Sequence, residues 1–404
     1  MAKKAVQGNM VIAQSGGPTM VINQSLVGAV LEAGRQPAIR QVYGALHGIK
    51  GVLREQFVNL SRENRTGLEA VAATPSSALG TVRMKPTVED CARIFDILRT
   101  YDTRYFFYIG GNDSAETAHI INQEANRVGY ELRCFHIPKT VDNDLRENDH
   151  TPGYGSAARF VAAAVMGDNL DNRALPGVKI DVVMGRHAGF LTAASALARV
   201  YPDDGPHLIY LPERPFSMDR FVADVERVYA KHGRCVVAVS EGIADENGEA
   251  VGAKYMREVD AHGNVQLSGS GFLGDLLAGQ LKEHTRISRV RADTLGYLQR
   301  SFPGLVSETD AREARQVAVA AVRESVGKDV DGSMTIRRRP GKKYAVFYER
   351  VPLSAVARET RHMPARFIRA SGTDVTKAFL DYARPLVGPL PAIGRLAERP
   401  VKKR

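Results

Sequence analysis

The chain has 404 residues, 44% hydrophobic and 25% charged, with a formal net charge of +10, enough for two or three soluble domains with sizeable cores. No stretch approaches the roughly eighteen uninterrupted apolar residues of a membrane span, and the start, Met1-Ala-Lys-Lys-Ala-Val, has no apolar signal region followed by a small-residue cleavage site. Cys91, Cys134 and Cys235 are too widely spaced for a disulfide framework or a metal site, so the expectation is a cytoplasmic protein with buried, inert thiols.

A basic balance fits nucleic acid, an anionic surface or small anionic ligands. Trp is absent and no arginine tract interleaves with aromatics; the dense basic run is the short tail Arg399 to Arg404. Small anions therefore fit best, with no nucleic acid and no membrane as partners.

In chain order, Asn9 to Ala13 reads as a buried strand, followed by Ser15-Gly-Gly-Pro and a helix from Met20 to Glu32. Tyr105 to Ile109 is a second strand, followed by Gly110-Gly-Asn-Asp-Ser and a helix from Ala115 to Val128. Cys134 to Ile137 runs into Pro138-Lys-Thr-Val-Asp-Asn-Asp. After the Pro152-Gly153 break come a helix near 156–170, the strand 179–184, Gly185-Arg186 and a helix from Ala188 to Ala198. Strands at 207–211 and 235–239 follow, the second ending in Ser240-Glu-Gly, and Met334 to Arg350 reads as a hairpin turning at Pro340-Gly341. Apolar strands alternating with helices predict parallel sheets covered on both faces. The polar turns fall at the carboxyl ends of strands, where such sheets gather ligands.

The turns carry candidate chemistry. Ser15-Gly16-Gly17 is either a tight turn or a phosphate cradle at a helix N-terminus. Asn112, Asp113 and Ser114 either cap a helix or offer an oxygen ligand to Mg²⁺. Lys139, Asp142 and Asp144 are costly to bury for structure alone. Phosphoryl transfer to an alcohol needs such a set: a carboxylate for the proton, a cation on the transferred group and a metal to spread charge. Arg186 suits bidentate phosphate recognition. Glu241 either accepts from sugar hydroxyls or caps a turn, and Arg83, Arg291, Tyr297 and Arg300 add cations and a ring for a phosphorylated substrate.

In this order the motifs Ser15-Gly-Gly, Ala78-Leu-Gly-Thr-Val-Arg83, Gly110-Gly-Asn-Asp-Ser, Lys139-Thr-Val-Asp-Asn-Asp, Met184-Gly-Arg, Glu241-Gly and Leu295-Gly-Tyr-Leu-Gln-Arg300 resemble the phosphofructokinases. The resemblance runs from Ser15 to about Arg300 and implies two similar three-layer α/β domains with mostly parallel sheets and the active site in the cleft between them. Residues 1–152 would form the first, completed by part of 300–404, and 153–299 the second. It further implies Mg²⁺ as cofactor, a homodimer or homotetramer, and fructose 6-phosphate as acceptor. Asp142 would be the base on the sugar's 1-hydroxyl and Asp144 its acidic neighbour near the metal, with Lys139 and Arg186 beside them. Arg83, Thr140, Val141, Asp142, Met184, Gly185, Arg186, Glu241, Tyr297 and Arg300 would meet the sugar phosphate. Arg291 would reach a neighbouring subunit's 6-phosphate, and Gly17 would meet the donor.

The departures from the family's pattern concern the donor. ATP-using members typically carry glycines where this chain has Asp113 and Lys139, and histidine where it has Tyr297. A carboxylate at Asp113 would fill and charge the space of a nucleotide's α-phosphate, while Lys139 would hold free diphosphate. The expectation is therefore a diphosphate donor, with ATP as the alternative. Asn112 stands where many members place a metal-binding aspartate, so the metal contact is expected from Asp113 or Asn112. A non-catalytic sugar-phosphate sensor is a further rival, disfavoured because both Asp142 and Asp144 are retained.

Overall fold

The computed structural model describes residues 5–252, 271–328, 330–357, 360–397 and 401. Its strands are β1 (Gly8–Gln14), β2 (Ile39–Ala45), β3 (Phe57–Asn59), β4 (Thr103–Gly110), β5 (Arg133–Pro138), β6 (Val178–Val183), β7 (Leu208–Tyr210), β8 (Cys235–Ser240), β9 (Val290–Thr294), β10 (Gly332–Arg338) and β11 (Val346–Val351). Seven form one sheet in the order β11-β10-β5-β4-β1-β2-β3, and four form a second in the order β7-β8-β6-β9. The second sheet is parallel throughout. In the first, β3 and β11 run antiparallel at the two edges.

Continuous apolar runs form these strands because both faces of each sheet are covered. On one face of the first sheet Met10, Ile12, Tyr105 and Phe107 pack with Leu26, Val317 and Ala321, from the helices Ile22–Ala33 and Glu308–Gly327. On the other, Val11, Ala13, Phe106 and Tyr108 pack with Phe95 and Ile121, from Val88–Thr100 and Asn112–Arg127. The second sheet lays Val178, Ile180 and Val182 on the helices Met218–His232 and Phe272–His284. Its opposite face meets Ala157, Val161 and Val165 of the helix Tyr154–Ala174.

The hairpin expected near 334–350 is present, and it joins the first sheet through pairing of β10 with β5. The helix expected at 188–198 is shorter: α-helical only over Phe190–Ala194, then a tighter turn over Ser195–Ala198. No helix among the described residues is long and apolar enough to cross a membrane. All three cysteines are buried and unpaired. Most of the basic tail lies outside the described residues.

A buried charge network ties the segment after β5 to the rest. His150 lies 2.8 Å from Asp149 and 2.6 Å from Glu313, Tyr344 donates to Glu313 at 2.8 Å, and Arg338 donates to Asp149 at 3.0 Å. Burial opposes a charge on His150, but the hydrogen bonds of the two carboxylates outweigh it and raise its pKa. A histidine whose folded pKa is raised stabilises fully below its unfolded value of about 6.5, and this is lost as pH climbs through the folded value. His150→Gln should therefore lower the melting temperature more at pH 6 than at pH 9, the pH 6 deficit reflecting about 1.5–3 kcal/mol for a charged buried hydrogen bond. Equal deficits at the two pH values would contradict this.

Candidate active site

The carboxyl ends of both sheets meet at one cleft of about 330 Å³. Ser15 to Gly17 enter it after β1, Gly111 to Ser114 after β4, Lys139 to Asp142 and Asp144 after β5, Met184 and Arg186 after β6, Glu241 after β8 and Arg300 beyond β9. Strand ends position these groups well because the hydrogen-bonded ladders behind them are rigid.

The turn after β1 needs its glycines. Gly16 has φ +74°, and a Cβ there would lie 3.2 Å from the Lys139 ammonium. A Cβ on Gly17 would lie 3.2 Å from the Arg300 guanidinium, and the Gly17 carbonyl accepts from Lys139 at 2.7 Å. The turn and the cation cradle are thus one object.

The segment after β5 holds Asp142 and Asp144 on either side of Asn143. Asn143 takes a left-handed conformation with φ 60°, which asparagine tolerates better than most residues. Its buried side chain donates to Tyr382 Oη at 2.7 Å and accepts from the Thr151 N–H at 3.0 Å. The neighbouring aspartates are left half-buried at the cleft.

The charges here perturb one another. Burial raises the pKa of Asp142, and Arg300 and Lys139 pull it back only in part. Burial and the adjacent Asp142 push Asp144 up to about 7. Burial and the charge of Arg300 bring Lys139 down to about 7. A desolvated cluster in which Lys139 and Asp144 are brought to about 7 and Asp142 is pushed upward is the kind of constellation that proton transfer uses.

Of the expected site residues, Gly17, Arg83, Asn112, Asp113, Lys139, Thr140, Val141, Asp142, Asp144, Met184, Arg186, Glu241 and Arg300 all line this cleft. Gly185 sits behind it, its N–H 3.4 Å from Glu241. Arg291 does not line it and lies exposed on β9. Tyr297 is also outside, 44% exposed, with the Arg300 guanidinium 4.6 Å from its ring centre.

The capping reading of Asn112 to Ser114 fails. The helix Asn112–Arg127 starts after Gly111 with no side-chain cap, and Asn112 instead donates to Asp144 at 2.8 Å. Asp113 is exposed at the mouth and pairs with Lys85 at 3.0 Å, which weakens its candidacy as the metal ligand. Asn112 Oδ1 and Asp144 Oδ1 are buried oxygens that receive no hydrogen bond. Oxygen donors of that kind suit Mg²⁺, so the donor set fits the ion at Asp144 and Asn112. Thr360, Asn143, Tyr382 and Arg361 were missed. Asn143 alone carried a local signal, as a turn-forming residue between two acids.

A family model described as phosphofructokinase matches residues 9–324. The pyrophosphate--fructose 6-phosphate 1-phosphotransferase of Rhodospirillum rubrum is 57% identical, covering 98% of this chain and 98% of that protein. The protein of the same name from Xanthomonas campestris is 40% identical over 94% of this chain and 91% of its own. The crystal structure of the pyrophosphate-dependent phosphofructokinase from Marinobacter aquaeolei superimposes with a TM-score of 0.84 at 33% identity, covering 98% of both chains.

Asp144 gives a stability test of this geometry. A carboxyl whose folded pKa lies above its unfolded value costs nothing below about pH 4 and its full penalty above the folded value of about 7. Asp144→Asn, which can still accept from Asn112, should melt higher than the parent at pH 8, by roughly 2–4 °C for each kcal/mol relieved. The gap should shrink on acidification to pH 5. A gap independent of pH would show that the Asp144 charge is not strained.

Proposed function

The chain belongs to the phosphofructokinase family, and on that premise we propose that it transfers a phosphoryl group from diphosphate to the 1-hydroxyl of D-fructose 6-phosphate, giving fructose 1,6-bisphosphate and phosphate. The observation that carries the reading is the buried Lys139 ammonium between the Gly17 carbonyl and the Asp142 charge, with Asp113 at the mouth of the same cleft.

In this reading Asp142 removes the hydroxyl proton. A base works best with a pKa close to the working pH, which its upward shift supports. Lys139 holds the diphosphate, and Arg186 steadies the charge that spreads over the transferred group. Gly17 meets the donor; Thr140, Val141, Met184, Gly185, Glu241, Arg83 and Arg300 take the sugar phosphate. Asp144 and Asn112 would hold Mg²⁺, which supplies neutralisation of the diphosphate oxygens. Arg291 and Tyr297 lie outside this chain's own cleft. Arg291 on the edge strand β9 suits a homodimer or homotetramer in which it serves a neighbour. A cytoplasmic setting, and the pairing of residues 1–152 with part of 300–404 against 153–299 as domains, belong to the same proposal.

Rejection of ATP rests on Asp113. Lys85 offsets part of its charge, so exclusion of an α-phosphate is as much steric as electrostatic. The resemblance to diphosphate-dependent phosphofructokinases implies a nearly balanced step, so the enzyme should run in both directions.

Two measurements test this. Asp142→Asn should lower kcat by roughly 10²–10⁴-fold with little change in sugar-phosphate binding; near-normal turnover would remove it as the base. Asp113→Gly/Lys139→Gly should narrow or invert the ratio of diphosphate to ATP activity in a coupled assay. An unchanged ratio would mean that other residues choose the donor.

A further inference from the structure

Arg361 grips the segment that carries Asp142 and Asp144. Its backbone N–H donates to the Asp144 carbonyl at 2.7 Å, and Thr360 forms an isolated antiparallel bridge with Leu145. Its guanidinium donates to the Asn143 carbonyl through Nη2 at 2.5 Å and Nε at 3.2 Å. It donates to the Asp149 carbonyl through Nη1 at 2.8 Å, and the same nitrogen also serves the Asn148 carbonyl. One planar fork thus draws together the two ends of a loop in which Asn143 and Glu147 both have positive φ, 60° and 62°. For residues other than glycine such backbone persists only where the surroundings hold it. The Phe190 ring supports the guanidinium from one side, 4.9 Å from its carbon. Tyr382 adds a second tie, accepting from Asn143 and donating to the Asp149 carbonyl at 2.8 Å.

Arg361 does not itself line the cleft, although Thr360 does. We propose that Arg361 is a positioning residue: it fixes the loop over 142–149 so that the Asp142 carboxylate stays at reacting distance, and it touches neither substrate. The inference rests on the phosphofructokinase reading for its catalytic arm. Lysine keeps the charge but offers its donors from a single point, so it cannot serve carbonyls at both ends of the loop.

The test is Arg361→Lys and Arg361→Gln in the full chain, with steady-state kinetics and hydrogen–deuterium exchange. A group that only places the base lowers kcat by about 10–100-fold, the loss expected for an ångström-scale misplacement. KM for fructose 6-phosphate and for diphosphate should each stay within about threefold. Amides within 141–151 should exchange faster in the same variants while those of β1 and β4 do not. A folded Arg361→Lys enzyme with parental kcat would overturn the proposal, as would a loss confined to KM or exchange unchanged over 141–151. If the unmodified chain shows no diphosphate activity, the functional reading fails, and the exchange arm still decides whether Arg361 holds the loop.

Discussion

The structure is organised around one buried charge. Lys139 is 2% exposed, and an ammonium withdrawn from water is costly unless partners replace its hydration. One partner is the Gly17 carbonyl, which follows Gly16, where the positive φ and the missing side chain leave room for the ammonium. The rest of the compensation is electrostatic, from Asp142 and Asp144, and it is opposed by Arg300 and Arg83. A pKa near 7 marks this as an incomplete settlement. An anion with several negative charges would complete it, which is what a phosphoryl donor brings.

Holding such a cluster requires a stiff frame. Lys139 follows directly on β5, which lies between β4 and β10 inside the seven-stranded sheet. The loop beyond it is fastened by Asn143, His150 and Asp149 to elements that come from much later in the chain: the helix Glu308–Gly327, the β10–β11 hairpin and the helix Lys377–Val387. The last hundred residues therefore complete the first sheet and also pin the segment that carries Asp142 and Asp144. Crowding Asp142 against Asp144 costs stability at neutral pH, a familiar exchange at functional sites.

Much of this was legible in the residues. The apolar runs at 9–13 and 105–109 are long, β-rich and bounded by glycine turns, so strand, turn and helix were all readable. Lys139, Asp142 and Asp144 stood out because charges directly after an apolar strand have no cheap structural explanation. What could not be read was non-local. Arg361 lies 218 positions from Asn143, and one arginine in Thr360-Arg-His-Met looks like any surface cation. The sequence leaves the metal contact to Asp113 or Asn112; in the fold it is Lys85, 28 positions earlier in the chain than Asp113, that pairs with the Asp113 carboxylate. The shortened helix at 190–194 is a local miss: the apolar spacing of 188–198 also suits a tighter turn.

A cleft built for diphosphate should also make diphosphate, so the reverse reaction is the sharpest examination of the donor. The unmodified protein would be given fructose 1,6-bisphosphate, phosphate and Mg²⁺ and followed by ³¹P NMR. A diphosphate resonance should grow in step with fructose 6-phosphate until a balanced mixture is reached. If no diphosphate appears, while the same preparation readily phosphorylates fructose 6-phosphate from ATP, the reading of Lys139 and Asp113 as the donor's determinants is wrong.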